Sequence, residues 1–449
     1  MGPSERHQSL DRGSRSQKPW QILANEDPEI FSSIESELLR QKCGLEMIAS
    51  ENFASPAVIA AMGNVFANKY AEGLPRKRYY GGCDVVDAME ELAIKRAKTL
   101  FKCQFANVQP HSGAQANAAV YLAFAKPGDR ILGLDLSHGG HLTHGSKVNF
   151  SGMMYESHFY SLKIFGNSGE GDHLIDMEQV RRKARDLRPK IIVAGASAYP
   201  RILDFEAFRS IADEVGALLV VDMAHIAGLV SADLHPSPLP FAHAVTTTTH
   251  KTLRGPRGGL ILWNDESFTK DLNKSVFPGI QGGPLEHIIA AKAVCFREAQ
   301  GSKFQNDQLE TVRNASTLAD ELLGHGFKLV TGGTDNHLIL INLLDADVSG
   351  KQFEEGLGEI HIAVNKNTVP GETRSPFVTS GLRVGTPALT SRGFRKPEMI
   401  RIAKILKNVF DDLSKNCLDA NKRKYLEEVE DMTKQFPLYP EWSNEVSPV

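Results

Sequence analysis

The 449-residue sequence is poor in cysteine and has no long apolar run. Its five cysteines are scattered, odd in number and form no CxxC pair, a pattern that disfavours a disulfide framework and indicates a reducing compartment. No stretch approaches the ~20 apolar residues that cross a membrane. A net charge of −3 gives no sign of a nucleic-acid surface. We therefore predict a cytoplasmic protein with no membrane or nucleic-acid partner.

The chain also lacks the common nucleotide and metal motifs. It has no GxGxxG, the main signature of a dinucleotide-binding fold, and its nearest approach to a P-loop (residues 140–147) has the lysine at the wrong position. His138, His141 and His144 recur every three residues, but no HExxH occurs and no cysteine stands beside them. We therefore expect no metal. Packing on an aromatic cofactor ring is an equally simple use of one of these histidines.

Short apolar runs that alternate with helical patterns predict the fold. Arg130–Leu134, Ile191–Gly195, residues 216–222 and Gly259–Trp263 have the length and composition of buried strands. Helical stretches separate them, from about residue 85 to 265. This alternation predicts an α/β fold whose large domain has a mainly parallel sheet between helices.

The length and the change of pattern along the chain predict more than one domain. Residues 1–45 are expected to form a flexible tail, over the first eighteen residues, and an N-terminal helical arm. Residues 46–300 form the large domain. Residues 301–449, where the pattern changes to mixed helices and strands, form a smaller C-terminal α+β domain.

The most informative stretch runs from residue 244 to 259. It begins with a valine and four threonines, which are β-branched and favour a strand, and it ends in glycines and a proline that favour a turn. Lys251 therefore stands at a strand end. Arg254 and Arg257, with His250 if it is protonated, would lower the pKa of its amine, as Schiff-base chemistry requires. A surface lysine after an edge strand is the alternative.

A carboxylate ends the apolar run 216–222. Asp222 follows four aliphatic residues, and His225 comes three residues later. Buried acids need partners, and ligands of open α/β sheets bind beyond the carboxyl ends of the strands. A lysine and an acid on neighbouring strand ends fit pyridoxal phosphate, whose ring nitrogen the carboxylate keeps protonated. A helix N-cap is the alternative use of Asp222.

Three further segments carry weaker signals. Residues 111–117 place small residues at a helix start, where backbone N–H groups suit an anion. Arg383 lies among glycines and suits a carboxylate, or else the surface. Residues 68–82 mix charges with tyrosines and glycines and form either a solvated loop or one that lines a site.

Taken together, these stretches resemble the serine hydroxymethyltransferase family. The matching motifs, in the order of the family, are IASENF (48–53), NKYAEG (68–73), RYYGG (78–82), HSGAQAN (111–117), HGGHLTHG (138–145), VDMAH (221–225), TTTTHKTLRGPRGG (246–259), FPGIQGG (277–283), GGTDNH (332–337), NKNTVP (365–370) and SGLRVGTP (380–387). The resemblance implies the fold of pyridoxal-phosphate-dependent transferases. It also implies reversible transfer of the serine hydroxymethyl carbon to tetrahydrofolate, which gives glycine and 5,10-methylenetetrahydrofolate.

The resemblance implies a role for each residue that matches a family motif. Lys251 would hold pyridoxal phosphate as an imine, with His250 beside the phosphate, and Asp222 would pair with the ring nitrogen. The other cofactor contacts would be His141 on the ring, His225 and Ser197 at the ring hydroxyl, and Ser112, Gly113 and the partner subunit's Gly283 at the phosphate. The amino acid would be bound by Ser50, Arg383 and, from the partner, Tyr70 and the acid/base Glu72. The folate would be bound by Leu136, Gly140, His141, Leu142, Asn367, Ser375, Pro376 and Phe377.

One position departs from the family pattern. The family often has a second serine in its phosphate loop, where this chain has Ala114. The loss of one hydroxyl donor is worth ~1 kcal/mol of cofactor affinity. Because the implied site is shared between subunits, a homodimer is expected, with a tetramer as an open alternative. The rival interpretations are a threonine aldolase or aminotransferase of similar fold, and a non-catalytic relative.

Overall fold

The computed structural model describes residues 19–164 and 172–442. The flexible tail predicted for residues 1–18 lies outside the described residues.

The helices are α1 Pro19–Glu26, α2 Pro28–Cys43, α3 Pro56–Met62, α4 Asp84–Phe101, α5 Gly113–Phe124, α6 Phe150–Met154, α7 Met177–Leu187, α8 Phe205–Val215, α9 Ala227–Ser231, α10 Thr269–Lys274, α11 Glu286–Ala299, α12 Ser302–Gly324, α13 Gly350–Gly358, α14 Pro387–Arg392, α15 Lys396–Ser414 and α16 Leu418–Gln435. The strands are β1 Leu45–Glu46, β2 Gly73–Leu74, β3 Lys77–Arg78, β4 Phe105–Asn107, β5 Arg130–Leu134, β6 Glu156–Tyr160, β7 Ile191–Gly195, β8 Leu218–Asp222, β9 Ala244–Thr248, β10 Gly259–Trp263, β11 Lys328–Leu329, β12 Leu338–Asn342, β13 Ile362–Ala363, β14 Asn365–Asn367 and β15 Gly381–Gly385.

A seven-stranded sheet forms the centre of the larger part of the molecule. Its strand order is β4-β10-β9-β8-β7-β5-β6. The pairs from β9 to β6 are parallel, and β10 runs antiparallel to both of its neighbours. The predicted mainly parallel sheet is therefore confirmed.

Both faces of this sheet are buried, which explains the unbroken apolar runs. In β8, Leu219 and Val221 pack into the core on one face, whereas Val220 packs into the core on the other. Consecutive side chains of a strand point to opposite faces, so a sheet covered by helices on both sides needs apolar residues at every position. Asp222, the last residue of β8, is the exception, and it stands at the carboxyl edge of the parallel strands.

The second core is built around a four-stranded antiparallel sheet with the order β11-β12-β15-β14. Helices α12, α13, α15 and α16 pack against it. Leu45 and Met47 join this same core, because β1 pairs with β13. We retain the division at about residue 300 as a proposal; α12 begins at Ser302, close to that boundary.

Within the described ranges, no helix combines the length and the apolar character needed to cross a bilayer. All five cysteines are free thiols.

Candidate active site

A closed turn after β9 holds Lys251 in place. Thr249 donates its backbone N–H to Gly258 O (3.1 Å) and accepts that of Gly255 (2.6 Å), so the turn is tied at its base. The side chain of Asn52 donates to Lys251 O (3.2 Å). The Lys251 amine itself makes no hydrogen bond with the described residues, and it is therefore free to react.

Burial is the main cause of the altered pKa of Lys251. It lowers the pKa of the amine to about 8, Asp222 opposes the shift, and Arg383 and Arg257 add to it. His250 adds no charge to this effect, because burial lowers the pKa of His250 to about 3 and the ring is neutral. The Nδ1 atom of His250 is buried and has no hydrogen-bond partner among the described residues.

Asp222 is a buried, ionised carboxylate. Its Oδ2 accepts hydrogen bonds from Asn117 Nδ2 (2.9 Å) and His144 Nε2 (3.1 Å), and its Oδ1 accepts from the backbone N–H of Ala224 (3.0 Å). Burial alone would raise the pKa of Asp222, but the hydrogen bonds and charge interactions with the histidines outweigh burial and lower it. The N-cap alternative does not hold, since the N-cap of the next helix, α9, is Ile226.

A relay of hydrogen bonds fixes the ring of His141. Asn117 also donates to Thr143 Oγ1 (2.8 Å), and Thr143 Oγ1 lies 2.7 Å from His141 Nδ1. The backbone N–H of Thr143 points at the same ring nitrogen (3.2 Å), so Nδ1 is an acceptor and the proton is on Nε2. Burial lowers the pKa of His141 to about 4, which keeps this ring neutral.

The fold brings a carboxylate to two of the three regularly spaced histidines. Ligand atoms of His141, His144 and Asp222 lie within 4.8 Å of one another. Asp222 Oδ2 already accepts two hydrogen bonds, from His144 and Asn117. The absence of a metal remains a prediction, and the hydrogen bonds give these groups a use without one.

His225 is buried against His337. The two rings stack with centroids 5.5 Å apart and an interplanar angle of 24°, and His225 Nδ1 lies 3.3 Å from His337 Nε2. Burial lowers the pKa of His337 to about 3 and that of His225 well below its usual value. The pair is therefore neutral, and a single proton lies between the two facing nitrogens.

Arg383 is a buried cation that lacks a counter-charge. It donates to Ser197 O (2.6 Å), to Asn365 Oδ1 (3.1 Å) and, more weakly, to Ser50 Oγ (3.4 Å). No carboxylate of the described residues forms an ion pair with it. Burial lowers the pKa of Arg383 to about 10, so the guanidinium is charged and suited to an incoming carboxylate.

Ser112 and Gly113 begin α5 at the edge of β9. The Ser112 hydroxyl accepts the N–H of Gln115 (3.2 Å) as N-cap. A Cβ added to Gly113 would lie 2.7 Å from Thr248 Cγ2, so only glycine allows this approach of the helix to the strand. The backbone N–H groups of Gly113 and Ala114 are unbonded among the described residues. We call residues 112–114 the phosphate cradle, after the role that the family resemblance predicts for Ser112 and Gly113.

Tyr70, Glu72 and Gly283 form a second group on the surface. Tyr70 is 56% exposed and meets Tyr80 edge-on at 5.1 Å. A Cβ added to Gly283 would lie 3.2 Å from Tyr70 Cε1, and one on Gly282 would lie 3.1 Å from Glu72 Oε1. No hydrogen bond or ring contact of the described residues joins this group to Lys251.

The residues expected to bind folate lie in two places. Leu136, Gly140 and Leu142 follow β5, and the two leucines are each 44% exposed. Asn367 ends β14, and residues 375–377 form a loop whose Phe377 is 83% exposed. No hydrogen bond or ring contact of the described residues connects the two places.

Comparison with known proteins gives the family. The family model for serine hydroxymethyltransferase matches residues 23–406. A protein named serine hydroxymethyltransferase from a Nitratiruptor species is 58% identical over 419 residues, which cover 93% of this chain and 98% of that protein. The chain belongs to the serine hydroxymethyltransferase family.

Membership of the serine hydroxymethyltransferase family confirms the resemblance carried by the motifs. The site residues themselves stay predictions. Several residues around the site lie inside the family motifs but were not predicted as site residues: Asn52, Asn117, Thr143, His144, Thr246 and His337. The only sequence signal for these residues is that they are polar and lie in otherwise small or apolar stretches. That signal does not identify their hydrogen-bond partners, which are distant in the chain.

Proposed function

We propose that this chain transfers the hydroxymethyl carbon of L-serine reversibly to tetrahydrofolate, giving glycine and 5,10-methylenetetrahydrofolate, with pyridoxal phosphate as cofactor. One arrangement carries the proposal. The unbonded amine of Lys251 lies close enough to the ionised Asp222 and the unpaired Arg383 for both to shift its pKa. A nucleophile, an anion and a free cation thus share one buried site.

The residues present fit pyridoxal phosphate. The phosphate cradle offers two unbonded N–H groups at the positive end of α5. It also offers the Ser112 hydroxyl, which donates weakly to Gln115 Oε1 (3.3 Å). The unpartnered Nδ1 of His250 offers a further polar atom beside Lys251. Asp222 supplies the negative charge that a protonated ring nitrogen needs.

When bound, the cofactor supplies an electron sink that stabilises negative charge at the amino-acid α-carbon. Lys251 would hold the cofactor through its uncharged amine, which a pKa of about 8 makes accessible near neutral pH. Asp222 would keep the proton on the ring nitrogen, and Asn117 and His144 keep Asp222 ionised and fixed. His141, neutral and held by Thr143, would pack on the ring face.

Arg383 and Ser50 would bind the carboxylate of the amino acid. The guanidinium presents its planar donors from β15, and Ser50 lies next to it. Carboxylate binding would give a desolvated cation the counter-charge that it lacks in the described residues. It would also orient the bond to be broken relative to the cofactor.

Tyr70, Glu72 and Gly283 would complete the site of the partner subunit in a homodimer. This is supported by their grouping on an aromatic surface, apart from the Lys251 site, where Tyr79 and Tyr80 are also exposed. Glu72 would move the proton at the serine hydroxyl. The folate would be bound by Leu136, Leu142, Asn367 and Phe377.

We also propose a cytoplasmic location, which the free cysteines suit.

The direct test is whether serine cleavage depends on tetrahydrofolate. Purified protein is expected to be yellow and to form glycine from serine at a rate that rises with tetrahydrofolate. Glu72→Gln should lose this reaction and keep the folate-independent cleavage of allo-threonine. A wild type that cleaves serine equally well without folate would instead identify an aldolase. A protein that stays colourless with added pyridoxal phosphate would refute the proposal.

Mixed dimers test the shared site. Lys251→Ala and Glu72→Gln chains with different tags are co-expressed and purified on both tags. If Glu72 acts across the interface, one site in each mixed dimer is complete. The doubly purified dimers should then have about half of the wild-type activity per dimer, whereas each variant alone is inactive. Inactive mixed dimers would place Glu72 in the site of its own chain.

A further inference from the structure

A second lysine lies buried behind the phosphate cradle. Lys292 on α11 is 1% exposed, and its ammonium group donates to the backbone carbonyls of Val108 (2.7 Å), Pro110 (3.0 Å) and Gly259 (2.8 Å). A buried ammonium that uses all three donors on carbonyls is a structural anchor rather than a free nucleophile.

Two of the three carbonyls belong to the segment that leads into the cradle, and the third belongs to the start of a neighbouring strand. Val108 and Pro110 precede Ser112, and Gly259 opens β10 beside them. Gly259 donates its N–H to Pro110 O (2.9 Å). A Cβ added to Gly259 would lie 2.2 Å from Ser112 O, and one on Gly258 would lie 2.4 Å from Lys292 Cε. The lysine and the glycines therefore set the path of the chain up to Ser112.

Acids near Lys292 partly offset the effect of burial on the pKa of its amine. Burial lowers the pKa of Lys292 to about 7, and Glu90 on α4 and Glu286 on α11 oppose the shift. Gln109 lies between the carbonyls that Lys292 binds, and it donates to Glu90 Oε1 (2.8 Å). Burial lowers the pKa of His111, which follows Pro110, and the positive charge of Lys292 lowers it further. Residues 108–111 thus interact with Lys292 and with the acid Glu90 beside it.

We propose that Lys292 is a positioning residue for the cofactor phosphate. By fixing the carbonyls of Val108, Pro110 and Gly259, it aligns the Ser112 hydroxyl and the N–H groups of Gly113 and Ala114 on one anion. Its three donors are all used on carbonyls, so none is left for substrate or cofactor. The inference rests on the proposed use of pyridoxal phosphate and goes beyond it by assigning phosphate affinity to a residue outside the site.

The test compares pyridoxal phosphate with pyridoxal, which lacks the phosphate. Apoprotein of full-length wild type and of Lys292→Met is titrated with each, and binding is followed by absorbance. Loss of cradle alignment should weaken pyridoxal phosphate binding by about 10- to 100-fold and leave pyridoxal binding unchanged. Arg297→Met, which changes an exposed residue on the same helix, should bind both as the wild type does.

Each other outcome has a definite meaning. Equal weakening for both ligands would indicate general loosening and overturn the proposal, as would no weakening for either. If Lys292→Met does not fold by circular dichroism, Lys292→Gln, which keeps two N–H donors, takes its place. Failure of both variants to fold would assign Lys292 to stability alone and refute the inference. A wild type that binds neither ligand would refute the proposed function instead.

Discussion

Lys292 is buried and Lys251 is half-buried, and their amines differ in what surrounds them. Burial lowers the pKa of both, to about 8 for Lys251 and about 7 for Lys292. Lys292 donates to three carbonyls, whereas the Lys251 amine has no hydrogen-bond partner among the described residues. A shifted pKa therefore reports burial, and only the unused hydrogen-bonding capacity distinguishes a reactive amine from a structural one.

Two buried arginines repeat the contrast. Burial lowers the pKa of both Arg383 and Arg392 to about 10. Arg392 donates only to backbone carbonyls, among them Phe436 O (2.6 Å) and Gly44 O (2.9 Å). Arg383 makes three hydrogen bonds, to Ser197 O, Asn365 Oδ1 and, more weakly, Ser50 Oγ, whereas Arg392 makes five. In both pairs the residue assigned to the reaction is the one with the less complete set of partners.

The same substitution at the two lysines should have opposite effects. Lys251→Met is expected to abolish the visible absorption of bound cofactor and all measurable serine cleavage, since no other amine replaces it. Its free energy of unfolding should stay within ~1 kcal/mol of wild type, because no hydrogen bond is lost. Lys292→Met should keep the absorption at saturating cofactor but lose about 3 kcal/mol or more of stability, because three buried carbonyls lose a donor. Steady-state assays measure the activity of each variant, and urea unfolding measures its stability. Equal losses of stability in the two variants would contradict the proposed difference between the lysines.

The arginines allow a matched test with a smaller effect. Arg383→Lys keeps the charge but loses the planar fork, so KM for serine should rise by about 100-fold while the cofactor absorption stays. Arg392→Lys should lower the melting temperature and leave KM unchanged. A similar rise of KM in both variants would show that Arg383 acts through the fold and not through the substrate.

The acids near Lys292 predict a pH dependence of stability. Burial, with Glu90 nearby, raises the pKa of Glu286 above its ordinary value of 4.5, and its carboxylate oxygens have no hydrogen-bond partner among the described residues. Folded protein thus binds a proton that unfolded protein releases, and this stability is lost as the pH rises through the raised pKa. Glu286→Gln should match wild type near pH 5 and exceed its unfolding free energy by about 1–3 kcal/mol near pH 9. Urea unfolding across pH measures this; a constant difference would contradict it.

The smallest expected effect concerns the cradle itself. Ala114 lies at an exposed position in the first turn of α5, so a hydroxyl has room there. Ala114→Ser should add one donor to the phosphate, worth ~1 kcal/mol, and tighten pyridoxal phosphate binding about fivefold. Pyridoxal binding should not change. Ala118→Ser, further along the same helix, is the control. A fivefold gain of affinity for both pyridoxal phosphate and pyridoxal would show that the added hydroxyl does not act on the phosphate.

Much of the fold could be predicted because burial on both faces leaves a simple pattern. The apolar runs of β5, β7 and β10 have the predicted bounds, and Lys251 and Asp222 stand at the predicted strand ends. The antiparallel direction of β10 could not be predicted, since a buried strand has the same composition in either direction.

The partners of the site residues could not be predicted from the sequence. Asn117 and Asp222 are 105 residues apart, and His144 and Asp222 are 78 apart. Lys292 and Val108, 184 residues apart, carry no local signal of contact. Such pairs depend on how whole strands and helices are placed, which periodicity does not determine.

The unpaired guanidinium of Arg383 has a consequence for ligand choice. A plain amine could reach the same reactive centre as an amino acid but would leave a desolvated cation without an anion. Such compounds can therefore be rejected without a steric barrier. A ligand that lacks a negative group binds more weakly, because it leaves the desolvated guanidinium without a counter-charge.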